Sequence, residues 1–173
     1  MLKAAVLTIS DKGSQGLRED WSGPAVSAYL QENGYEVVFT TIIPDEKEEI
    51  SAKFKELVGQ NIPLIVSTGG TGFSKRDVTP EALEAVCQRM VPGFGEAMRI
   101  ASSQITDRAW LSRACAGICD NSVLIALPGS PKAAVENLSA VISPLKHGLE
   151  ILLGLDSDCA VDEHPAHHDH HHE

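Results

Sequence analysis

The chain has 173 residues, enough for one domain, and is 43% hydrophobic and 22% charged, close to ordinary globular usage; this excludes collagen-like, coiled-coil and disordered readings. A formal net charge of −10, from 14 Lys and Arg against 24 Asp and Glu, argues against nucleic acid as a partner, because such binders carry a basic patch. The charge is uneven: six of the acids and six of the seven histidines lie from Asp156 onward, which leaves the body with 18 acids against 14 bases.

Residues 1–154 read as a single domain and 155–173 as an acidic, His-rich tail expected to be disordered. No apolar run reaches the roughly 18 residues of a membrane span. The N-terminus leads straight from Met1 into a strand-like segment with no cleavage-site pattern, so the expected location is the cytoplasm. Cys87, Cys115, Cys119 and Cys159 fit neither a zinc ribbon nor a redox pair and are expected to be free thiols.

In chain order, Ala4 to Ile9 is a buried strand followed by a loop at Ser10-Asp11-Lys12-Gly13. Pro24 suits the first position of a helix capped by Ser22 or Gly23, with Val26, Tyr29 and Leu30 as its apolar stripe and Asn33-Gly34 as its stop. Val37 to Ile43 is a second strand, ended by Pro44-Asp45. Asp45 is placed to cap a helix whose apolar face is Ile50, Phe54, Leu57 and Val58, with Glu48 completing a capping-box-like pair. Leu64 to Ser67 is a third strand, and its continuous apolar character predicts burial on both faces. Thr79 and Pro80 open another helix as its cap and first residue, and Phe94 to Ile105 forms one more after Pro92-Gly93. Val123 to Leu127 is a further buried strand, followed by helical stretches at Lys132 to Ile142 and Leu145 to Leu153. Strands alternating with helices predict a three-layer α/β fold with a mostly parallel central sheet.

In such sheets ligands bind beyond the carboxyl ends of the strands. That rule selects Ser10 to Gly16, Pro44-Asp45, Thr68 to Asp77, and Pro128 to Lys132. Thr68-Gly69-Gly70-Thr71-Gly72 can approach a ligand closely and present successive amides to an anion, although it is neither a P-loop nor a dinucleotide fingerprint. Asp45 and Asp77 are two carboxylates at two strand ends, the kind of hard donor that Mg²⁺ takes beside substrate phosphates. Pro128-Gly129-Ser130-Pro131-Lys132 puts a hydroxyl and an ammonium at a helix N-terminus, which favours anions, and Arg113 can fork onto phosphate. The body holds one histidine, His147, on a predicted helix, which argues against hydrolysis with a histidine base.

Taken together and in order, Thr68-Gly69-Gly70-Thr71-Gly72, Arg76-Asp77-Val78-Thr79-Pro80-Glu81, Pro92-Gly93-Phe94-Gly95-Glu96, Leu111-Ser112-Arg113 and Leu127-Pro128-Gly129-Ser130-Pro131-Lys132 resemble the Mog/MoaB-like molybdopterin adenylyltransferases. The resemblance spans residues 2 to about 154. It implies a trimer, and transfer of AMP from ATP to the terminal phosphate of molybdopterin with release of pyrophosphate and Mg²⁺ present. It also implies exchange with other molybdenum cofactor biosynthesis proteins. The alternative within the family is a MoaB-type trimer or hexamer that binds molybdopterin without adenylylating it. By motif match Asp45 and Asp77 would hold Mg²⁺ and orient phosphates, Gly69 to Gly72 would cradle phosphate, and Ser112 and Ser130 would touch pterin or nucleotide. Ser10, Asp11, Thr68, Arg76, Arg113, Pro128, Gly129 and Lys132 complete the expected binding set. Lys75 adds a charge where many relatives carry proline or a small residue, and the tail has no counterpart in the family pattern.

Overall fold

Apolar residues at successive strand positions need cover on both faces, and the sheet obtains it. A computed structural model describes residues 1–155; the predicted tail lies outside them from residue 156 on. Six strands, β1 (Leu2–Ile9), β2 (Tyr35–Ile43), β3 (Leu64–Thr68), β4 (Arg89–Met90), β5 (Cys115–Cys119) and β6 (Ser122–Leu127), form one sheet in the order β2-β1-β3-β6-β5-β4. The β2-β1-β3-β6 body is parallel, and β5 and β4 are added antiparallel at one edge.

The helices are α1 (Asp11–Ser14), α2 (Ser22–Glu32), α3 (Lys47–Gly59), α4 (Thr79–Val86), α5 (Pro92–Ser103) and α6 (Pro131–Leu152). A 3-10 turn, Asp107–Leu111, follows α5. Strand alternation splits the core in two. Val6, Val66 and Ile125 pack under α2, α5 and α6 with Leu30, Met98, Leu138 and Leu145. Leu7, Ile65 and Leu124 pack on the other side under α3 and α4 with Ile50, Phe54 and Leu83. Each fully buried large side chain contributes roughly 1.5–3 kcal/mol relative to exposure, so both layers are needed to offset chain entropy. The three-layer α/β architecture is the predicted one.

Four local expectations are corrected. Pro144 does not divide the last helix: α6 runs unbroken through it. The stripe Leu138, Val141, Leu145 and Leu149 is buried on the sheet, and that burial outweighs the roughly 3 kcal/mol penalty of an interior proline. Asp45 does not cap α3. Glu46 is the N-cap, and Asp45 is occupied instead with Asp11 across the strand ends. Thr79 lies inside α4, and its hydroxyl donates to the Gly69 carbonyl at 2.9 Å rather than capping. At α2, which starts at Ser22 with Trp21 at the N-cap, Pro24 is the third residue rather than the first; the Ser22 hydroxyl donates to the Gly129 carbonyl, and Asp20 Oδ1 accepts the Gly23 amide at 2.9 Å.

Cys87, Cys115 and Cys119 are free, as expected, and Cys159 lies outside the described residues. Burial pushes the Cys87 thiol up to about 12 and the Cys115 thiol up to about 11, which marks them as packing groups rather than nucleophiles. Among the described residues no helix is long and apolar enough to cross a membrane.

Candidate functional site

The chain passes from β1 out to β2 and then back across β1 to β3. That reversal opens a crevice at the carboxyl ends of β1 and β3. There the loop after β3 folds tightly against β1. Gly69 has φ +105°, and a Cβ on it would stand 2.3 Å from the Ile9 carbonyl oxygen. Gly70 has φ +71°, and its Cβ would meet Thr79 Oγ1 at 2.3 Å and Asp45 Oδ1 at 3.1 Å. Only glycine fits either position. Among the described residues no acceptor is bonded to the amides of Gly70, Thr71 or Gly72, so they are available to an anion.

Two clefts open on this loop. The larger, about 480 Å³, is walled by Ser10, Thr68, Gly69, Asp45 and Ser130 and by the segment Arg18 to Ser22. The smaller, about 340 Å³, is walled by Thr71, Gly72, Arg108, Leu111, Ser112 and Pro128. Gly70, Asp77 and Gly129 belong to both. The two clefts therefore meet at one carboxylate and two glycines.

Asp45 is half-buried. Its Oδ2 accepts the Asp11 amide at 3.0 Å, and its own amide donates to Asp11 Oδ1 at 3.0 Å. Burial raises the Asp45 carboxyl above its usual range; the Asp11 amide opposes this, and the charges of Asp11 and Asp77 add to it. Asp77 turns its Oδ2 towards the loop, accepting the Ser74 amide at 3.0 Å and lying 2.9 Å from where a Gly72 Cβ would be. Asp45, destabilised chiefly by its burial, and Asp77 wall the same cleft and form a site that a hard cation would relieve. Among the described residues no group of three His, Cys, Asp or Glu gathers around one point, so a metal here would complete its shell from substrate oxygens and water. That is the usual Mg²⁺ arrangement, and the residues fit it.

Of the residues singled out in the sequence, Ser10, Asp45, Thr68, Gly69, Gly70, Thr71, Gly72, Asp77, Ser112, Pro128, Gly129 and Ser130 wall the two clefts. Thr68 is also tied into the fold, its hydroxyl donating to the Pro128 carbonyl at 2.6 Å. Four others lie outside the cleft walls. Arg76 grips Asp11 through Nε and Nη2, at 3.0 and 2.9 Å, and reaches Glu46 at 2.9 Å. The Arg76 guanidinium correspondingly lowers the Asp11 carboxyl below its usual value. Asp11 in turn exchanges two hydrogen bonds with Asp45, so Arg76 and Asp11 brace the cleft wall from outside it. Arg113 donates to the carbonyls of Gly72 (2.9 Å) and Asp77 (2.7 Å) and pairs with Glu81, and its amide bonds the Thr71 carbonyl at 2.8 Å. It buckles the glycine loop to the Asp77 turn. Lys132 projects into solvent, its side chain 84% exposed.

The arginines that do line the clefts, Arg18 and Arg108, were not singled out, nor were Asp20 and Trp21. Asp20 had a signal: an acid three residues before Gly23 at a helix start. Its Oδ2 accepts the Thr8 hydroxyl at 2.7 Å, tying the α2 entrance to β1.

Residues 5–147 match the family described as a probable molybdopterin binding domain. A molybdopterin adenylyltransferase of Helicobacter pylori is 42% identical over 153 residues, covering 86% of each chain. A molybdenum cofactor biosynthesis protein B of Staphylococcus aureus is 39% identical over 147 residues, covering 83% of this chain and 86% of that one. The solved MoaB of Thermus thermophilus superposes with a TM-score of 0.85 at 38% identity, covering 89% of this chain and 98% of that one. With that fold, that coverage and the motif loops gathered at one end of the sheet, the chain belongs to the molybdopterin-binding domain family of molybdenum cofactor biosynthesis.

Proposed function

We propose that the chain is a molybdopterin adenylyltransferase that binds ATP in the larger cleft and the phosphate arm of molybdopterin in the smaller one. The observation that carries this arrangement is the shared boundary of the clefts at Gly70, Asp77 and Gly129, which suits two phosphorylated substrates reacting with each other. The relatives named molybdopterin adenylyltransferase support the same reading.

In the reaction a terminal phosphate oxygen of molybdopterin forms a bond to the α-phosphorus of ATP. The bond from that phosphorus to the bridging oxygen breaks, and pyrophosphate leaves with the electron pair. The attacking group is already an anion, so no protein nucleophile or histidine base is required. The chain's task is to position the two phosphates and offset their charge. The amides of Gly70 to Gly72 face the phosphates, Arg108 adds positive charge on the pterin side, and Arg18 does so on the nucleotide side. Asp45 and Asp77 would hold Mg²⁺, which neutralises polyphosphate charge when bound. Ser130, at the N-cap of α6, presents a helix N-terminus to anions.

A homotrimer suits the large apolar side chains left exposed at Ile100, Ile105 and Trp110, a surface of the kind that an interface covers. Cytoplasmic residence and transfer of product to a further cofactor-biosynthesis protein complete the proposal. The test measures pyrophosphate release from Mg-ATP with and without molybdopterin. Release that depends on molybdopterin is expected; binding of the pterin without release would reduce the protein to a carrier.

A further inference from the structure

We propose that Trp21 is a stacking platform for the base of the bound nucleotide, an inference that rests on the adenylyl-transfer reading of the larger cleft. Trp21 lines that cleft and is 65% exposed, an unfavourable placement for the largest apolar side chain unless a flat ligand covers it. Apart from the buried Ile9 and from Pro131, the other walls of the cleft are glycines, hydroxyls and charged groups, which suit phosphate and sugar. Trp21 is the one aromatic face among them.

The backbone on both sides of Trp21 is fixed. Asp20 holds the Thr8 hydroxyl at 2.7 Å and the Gly23 amide at 2.9 Å, and the Ser22 hydroxyl bonds the Gly129 carbonyl. The indole is thus carried by a segment anchored to β1 on one side and to the loop after β6 on the other. Gly129 also borders the phosphate junction, so one hydrogen bond links the ring platform to the reacting end of the cleft. Such preorganisation lowers the entropy lost when a ring stacks.

The sequence supplies a clean probe, because Trp21 and Trp110 are the only two tryptophans. In a Trp110→Phe background the emission reports Trp21 alone. Titration with Mg-ATP is expected to quench it, whereas inorganic triphosphate with Mg²⁺ binds without quenching. Trp21→Ala is expected to weaken ATP roughly ten- to a hundredfold, the range of base–aromatic stacking. It should leave triphosphate affinity and melting temperature unchanged, and Trp21→Tyr should recover most of the loss. Equal weakening of ATP and triphosphate, unchanged ATP affinity in Trp21→Ala, or quenching by a free pterin but not by ATP would each overturn the assignment. The two levels separate: if the wild-type protein binds no Mg-ATP, the adenylyl-transfer reading falls and Trp21 with it. Retained turnover with an indifferent Trp21→Ala overturns the Trp21 assignment alone.

Discussion

Replacing Asp45 by Asn should make the protein more stable and nearly inactive. Burial is the largest influence on this carboxyl, and the charges of Asp11 and Asp77 add to it, so its pKa lies above the ordinary value. A carboxyl whose folded pKa is raised is penalised when ionised. Its contribution is most favourable at low pH and worsens as pH rises from the unfolded value through the folded one, so at neutral pH the whole penalty is present. Asn removes the charge and retains an oxygen for the Asp11 amide, now bonded at 3.0 Å to Oδ2. The weaker neutral bond costs part of a gain that should remain about 1 kcal/mol or less, corresponding to a rise of about 2–4 °C in melting temperature at this size. Turnover should fall on the order of 100- to 1000-fold, the scale for losing one electrostatic group at a reacting phosphate. Thermal melts across the acid range from pH 7 down to pH 4 check the stability sign, since the advantage of the variant must shrink as pH falls through the raised pKa. A variant that melts lower than wild type at pH 7 while keeping its activity would refute this reasoning.

Arg113→Met should lower stability by about 1–3 kcal/mol by orphaning the Gly72 and Asp77 carbonyls and leaving Glu81 unpaired; denaturant melts and a raised KM for both substrates are the readouts. Gly70→Ala should cost about 1–2 kcal/mol from positive φ alone and more from the 2.3 Å approach to Thr79 Oγ1, with substrate binding lost in calorimetry even where the variant folds. The Asp11 carboxyl is held below the ordinary value of 3.8 by Arg76, so its stabilising contribution is present above that value and is lost as pH falls through the folded one. Arg76→Ala should therefore flatten the acid limb of the stability profile below about pH 4 and leave the alkaline limb unchanged.

The layers and the glycine loop were legible because their signals are local. β1, β3 and β6 are continuous apolar runs, and α2 and α3 show their apolar stripes. β5 was not legible as a strand: Cys115-Ala-Gly-Ile-Cys119 has one β-branched residue, and it becomes a strand by pairing with β6. β4 is two residues long and exists only as the partner of β5. At the site, residue types named the two carboxylates and the loop. They could not say which cations face ligand, because Arg76 and Arg113 find their partners 65 and up to 41 residues away. Arg18, Asp20 and Trp21 escaped notice because they enter the cleft from a connection before α2 rather than from a strand end.

In the proposed reaction the two clefts bring ATP and molybdopterin together across Asp77 so that one phosphate attacks the other. The most direct measurement follows the label from α-³²P-ATP after incubation with molybdopterin and Mg²⁺, in wild type and in Asp77→Ala. Label on the pterin in equal amount to pyrophosphate is expected for the wild type, and loss of both in the variant. Label that stays on ATP, or transfer that survives unchanged in Asp77→Ala, would contradict it.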